Sequence, residues 1–134
     1  MNTQQHIIRK GESFVTDARH ASIEVRDMKD DIVIACHNAS KRRSGLCHAS
    51  DKASIQNFLG NMLMNHEGAP KGTLQVRLLG GTDSSESRCQ LEEIILALES
   101  FDTKRDILNI ISADVLHKPH PDSFSMTTDD GTIQ

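Results

Sequence analysis

Residues 31–36 read Asp31-Ile32-Val33-Ile34-Ala35-Cys36, a short apolar run with polar sequence on either side. A run this short and this apolar fits a buried strand. Working outward, Thr73-Leu74-Gln75-Val76-Arg77-Leu78 alternates cleanly and predicts a strand with Leu74, Val76 and Leu78 facing inward. Between these two runs, Ile55, Phe58, Leu59, Met62 and Leu63 recur at i, i+3, i+4, i+7 and i+8, the period of an amphipathic helix. Ser50 or Asp51 would cap its start, and Gly68 lies just past its end. A second helix follows, with Leu91, Ile94, Ile95 and Leu98 on one face and Asp83 with Glu86 as a capping pair.

Shorter strands are expected at Ile7-Ile8, as an edge, and at residues 22–25. Another is expected at 107–111, as a buried strand. A terminal hairpin is expected from residues 123–126 and Thr132-Ile133 around Asp130-Gly131. The polar stretch 37–43 reads as a turn linking two strands, and Gly80-Gly81 as a strand end before the second helix. Several strands, a helix, a strand, a helix and more strands make an α+β architecture. Both amphipathic helices would pack on mixed β-sheet layers, and residues 1–134 would form one domain.

Composition narrows the class. With 37% hydrophobic and 25% charged residues the chain is globular in balance, and its four Phe, without Trp or Tyr, make an aliphatic core. A net charge of −4 and the lack of a basic stripe with interleaved aromatics argue against nucleic-acid binding. No apolar run approaches the ~20 residues that span a bilayer, so no membrane insertion is expected. The polar N-terminus lacks the apolar stretch of a signal peptide. Three cysteines without framework spacing read as free thiols in a reducing compartment, the cytoplasm.

Gly45-Leu46-Cys47-His48 is the most site-like segment. A thiolate nucleophile needs a base, usually His, but neighbours on a strand point to opposite faces. Cys47 therefore reads as core, and His48 must find its partner on another strand. Cys36 reads mainly as a small buried hydrophobe, with a nucleophile as the sharper alternative. Cys89 falls in the first turns of a helix, where the dipole favours a thiolate, yet the bland reading is stronger. Gly80-Gly81-Thr82 lacks the lysine of a phosphate loop and reads as a turn. His117 and His120 flank Pro119 and do not share a helical face, so an exposed loop is expected there, and Lys41-Arg42-Arg43 reads as a solvated turn. The residues carry no cofactor or metal motif.

Taken together, these segments resemble the chemoreceptor glutamine deamidases, the CheD family, over nearly the whole chain. Gly11-Glu12-Ser13-Phe14-Val15 resembles that family's early Gly-Glu-x-x-Val stretch. The run 32–36, the polar turn and Gly45-Leu46-Cys47-His48 resemble its strand, turn and Gly-x-x-x-His strand, one residue shorter here. The first helix, the strand ending at Gly80-Gly81, the second helix and the later strands follow in the family's order.

The resemblance implies hydrolysis of glutamine side-chain amides on chemoreceptors by a Cys-His pair. His48 matches the catalytic His. The place of the nucleophilic Cys falls near Asp31 or Ile32, where this chain has neither a cysteine nor the family's glycine-rich turn. A late glycine loop is also replaced, near Leu116-His117. An Asp carboxylate is a poor substitute for a thiolate attacking an amide, although it can pair with His48 or position a water. The implied function is a CheD-like domain of chemotaxis or signalling type that binds a protein partner, such as a receptor, without deamidase activity. An active amidohydrolase using Cys36 or Cys47 with His48, and an unrelated α+β structural or assembly domain, are the alternatives.

Overall fold

The structure, a computed structural model, describes residues 4–17, 21–29, 31–48, 51–63, 70–103, 106–116, 123–127, 131 and 133. Eight strands and two helices follow one another as β1 (Gln4–Ile8), β2 (Ser13–Thr16), β3 (Ala21–Val25), β4 (Ile32–Asn38), β5 (Arg43–Cys47), α1 (Lys52–Met62), β6 (Leu74–Gly80), α2 (Ser85–Asp102), β7 (Leu108–Val115) and β8 (Phe124–Thr127). They form an α+β fold with two mixed sheets, a five-stranded one in the order β2-β5-β4-β6-β7 and a three-stranded one in the order β1-β3-β8.

β4 lies in the middle of the large sheet, and each of its residues is buried. Its side chains alternate between two cores. Ile32, Ile34 and Cys36 join Ile55, Phe58 and Leu59 of α1 and Ile94 and Leu98 of α2 on one face. Val33 and Ala35 join Ile8, Ile23, Val25 and Met126 of the small sheet on the other. The apolar run is continuous because both faces are covered. The molecule is thus three layers: helices, large sheet, small sheet.

Helix capping follows short-range chemistry. Asp51 caps α1, its carboxylate accepting from the Ser54 amide. The cap of α2 is Ser84, whose hydroxyl accepts from the Ser87 amide, and not Asp83 as the sequence suggests. Asp83 pairs instead with Arg88 on the surface. The parallel pairing of β6 and β7 requires a crossover, which α2 supplies.

Three further expectations change. β4 continues through His37 and Asn38, so the turn begins later than polarity implies. His37 is paid no solvent: its Nδ1 lies 2.7 Å from the Ser44 hydroxyl oxygen on β5, a buried pair that hides its polarity. Arg43, expected in a solvated turn, starts β5 and donates to the Asn61 carbonyl at 2.7 Å. β7 is not a buried strand but the exposed edge of the large sheet, with Ile110 and Ile111 about half in water.

The terminal pairing is partly seen: β8 joins the small sheet antiparallel to β3, and Met126 bridges Ile133. Ser50, Gly68, His117 to His120, Asp130 and Thr132 lie outside the described residues. Among the described residues no helix is long and apolar enough to cross a membrane.

Gly45 is where α1 meets the sheet. A Cβ there would stand 2.8 Å from both the Phe14 carbonyl oxygen and Cε1 of Phe58. Its absence lets the fully buried Phe58 ring lie directly on β5. Phe58→Ala is expected to lower the unfolding free energy by about 3–5 kcal/mol, read from urea denaturation, because the lost ring leaves a cavity that three packed layers cannot close.

Candidate functional site

Three separate pieces of chain bring Asp31 and His48 together. β5 ends at Cys47, and the backbone of His48 is held by the segment before β2: its amide donates to the Glu12 carbonyl at 2.8 Å, and its carbonyl accepts from the Gly11 amide at 2.8 Å. Glu12 in turn accepts from the Arg9 amide through its side chain, closing that turn. Asp31 stands just before β4. Its amide donates to the Met28 carbonyl at 2.7 Å, and its carbonyl accepts from the Gly81 amide at 3.0 Å. Gly80 permits this approach. Its φ is +95°, and a Cβ would lie 2.7 Å from the Asp31 carbonyl oxygen.

The two side chains meet with His48 Nε2 3.1 Å from Asp31 Oδ2. The imidazole is 1% exposed and the carboxylate 13%, so the pair is sheltered from water. Nδ1 of His48 is buried without a hydrogen-bond partner. That arrangement suits the tautomer with the proton on Nε2, donating to Asp31, since a bare lone pair costs less in an apolar setting than an unmade N–H bond.

Gln90 completes the cluster from the second turn of α2. Its Nε2 donates to Asp31 Oδ1 at 2.8 Å, and its Oε1 accepts from the Ile32 amide at 2.8 Å. Asp31 therefore has one oxygen on His48 and the other on Gln90, with Lys10 Nζ 3.7 Å from Oδ2 at the surface. Gln90 was not singled out by the sequence. The only available signal is that it lies in the second turn of the helix that Gly80-Gly81 leads into.

The thiols lie elsewhere. Cys36, the alternative nucleophile, is fully buried in the core between the large sheet and the helices, and Cys47 shares that core. Desolvation pushes the Cys36 thiol up to about 12, which disfavours the thiolate that a nucleophile needs. Cys89 is exposed on α2, in an open cleft of about 410 Å³ that it lines with Ser85, Glu86, Gln90 and Glu93. That cleft touches Gln90 but is lined by neither Asp31 nor His48.

The Gly80-Gly81-Thr82 turn is not an open anion cradle. The Thr82 amide donates to the Ser87 hydroxyl at 2.9 Å, and the Gly81 amide is used by Asp31. Among the described residues no three His, Cys, Asp or Glu side chains converge as a metal site would need.

Two outcomes follow from this geometry. Gln90→Leu strands the Ile32 amide and one oxygen of Asp31, and is expected to cost about 1–3 kcal/mol in urea denaturation. In the native protein iodoacetamide is expected to label Cys89 first, with Cys36 and Cys47 modified only after unfolding, as mapped by mass spectrometry of peptides. Rapid native labelling of Cys36 would contradict its placement in the core.

No family model matches the chain. It is 40% identical over 53 residues to "Uncharacterized protein RC0132" of Rickettsia conorii, a match that covers 40% of this chain and 71% of that protein. Similarity of this degree over most of the rickettsial protein means that the chain belongs to the same family as RC0132.

Proposed function

We propose that this chain is a CheD-like domain that binds a protein partner, of receptor or signalling type, and does not deamidate glutamine. The observation that carries this reading is the state of Asp31. It stands against His48 where the resemblance asks for a nucleophilic thiol, and its two oxygens are engaged by His48 and Gln90. A carboxylate held from both sides is neither free to attack an amide nor placed to activate a water. The burial of Cys36 and Cys47 speaks against the alternative in which one of them pairs with His48. On this reading the cluster persists as a structural clamp joining β4, β5 and α2, and the surface of the domain does the work.

The protein is expected to release no ammonia from glutamine peptides or from chemoreceptor cytoplasmic segments, in a coupled glutamate dehydrogenase assay. Release that His48→Ala abolishes would overturn the proposal. Asp31→Cys tests the equivalence of position separately. A thiol beside His48 Nε2 is expected to alkylate near neutral pH at least tenfold faster than Cys89, because the imidazole can take its proton. Equal rates at the two thiols would mean that Asp31 does not stand in the place of a nucleophile.

A further inference from the structure

The exposed large apolar side chains among the described residues are Ile95, Leu96, Ile110 and Ile111, between 40% and 62% in water, and all of them lie on α2 or β7. β7 is the last strand of the large sheet, and no described strand pairs with its outer side. Eight residues long, it carries a single charged residue, Asp114, and has neither Lys nor Pro, the residues that commonly blunt such edges. Its register with β6 skips Ile111, since Val76 pairs with Ile110 and Arg77 with Ser112. Residues 109–114 are exposed on both faces of the strand, so the two successive isoleucines both stand about half in water.

A groove of about 140 Å³ runs between this strand and the helix, lined by Ile95, Leu98, Glu99, Asp102, Leu108 and Ile110. Its lining is aliphatic except for the two carboxylates. One oxygen of Asp102 is used by the amides of Ile107 and Leu108, whereas Glu99 is exposed. α2 as a whole is acidic, with Glu86, Glu92, Glu93, Glu99 and Asp102 against Arg88, which is itself paired with Asp83.

These features define an occupant. An open strand edge is completed by an extended segment, through main-chain hydrogen bonds. Such a segment presents every second side chain to the same face. An apolar side chain fits the groove, and the carboxylates favour Lys or Arg at the next position on that face. We propose that β7 and α2 form a docking surface for an extended segment of a partner protein. The segment adds to the large sheet as a further strand. It sets an apolar residue between Ile95 and Ile110 and a basic residue, two positions along, beside Glu99. A second copy of this chain suits the surface less well, because it would bring acidic helices together. The inference uses neither Asp31 nor His48, so it can fail while the reading of the cluster stands, and the reverse.

Fluorescence anisotropy tests it, with the full chain titrated into a labelled nonapeptide, Thr-Val-Thr-Lys-Thr-Val-Thr-Lys-Thr, whose valines and lysines share one face of an extended strand. Two control peptides carry glutamate in place of lysine, or a central proline that removes a main-chain donor. Saturable binding is expected, at least tenfold weaker for each control peptide and for the Glu99→Lys and Ile110→Asp proteins. Should Ile110→Asp fail to fold by circular dichroism, Glu99→Lys, on an exposed helix face, decides. Three results would overturn the proposal: no saturable binding, binding indifferent to the proline, or a dimer in sedimentation velocity that Ile110→Asp converts to monomer.

Discussion

β4 must be kept from water on both faces at once, and the other layers exist to do this. Seven consecutive buried residues cannot sit at a sheet edge or on a solvated face. They need a strand partner on each side, which β5 and β6 supply, and a covering layer above and below. The helices cover Ile32, Ile34 and Cys36, and the small sheet covers Val33 and Ala35. At roughly 25 cal/mol per Å² of apolar surface, each of Ile32, Val33 and Ile34 contributes about 1.5–3 kcal/mol relative to exposure, so neither covering layer is dispensable.

The cluster around Asp31 follows from this placement. Asp31 is the last residue before the chain enters the buried strand, where a polar side chain must find partners or face desolvation. His48 reaches it because β5 runs antiparallel to β4, which brings the end of one strand beside the start of the other. Gly81 reaches it because β6 also runs antiparallel to β4 and ends at the same level. Gln90 reaches it because α2 starts immediately after that strand. One level of the molecule therefore gathers four chain segments at a single residue, His48 and Gln90 on its carboxylate and Gly81 on its main-chain carbonyl.

Much of this was legible beforehand, and the rest was obscured for identifiable reasons. The period of Ile55, Phe58, Leu59 and Met62 depends on local geometry, and that helix formed as read. The pairing of Asp31 with His48 was legible only through a family pattern, since a separation of seventeen positions gives no local signal. Gln90 was hidden because a glutamine on a helix is ordinary until its neighbour across the fold is known. Ile107, Leu108, Ile110 and Ile111 looked like a buried strand because composition reports apolarity and not neighbours. Ile107 is indeed buried, but the isoleucines after it lie where the sheet stops. His37 misled in the opposite sense, its polarity being met inside the protein by Ser44.

The Gln90 carboxamide also bears on how the chain folds. It joins residues 58 positions apart when it accepts from the Ile32 amide, and 59 apart when it donates to Asp31. Contacts of such long sequence separation form only after the loops between them have been closed. β4 must already be paired with β6, and the crossover through α2 must be seated, before one amide group can meet both partners. The clamp is thus a late event that consolidates a topology already chosen, and its loss should speed unfolding far more than it slows folding.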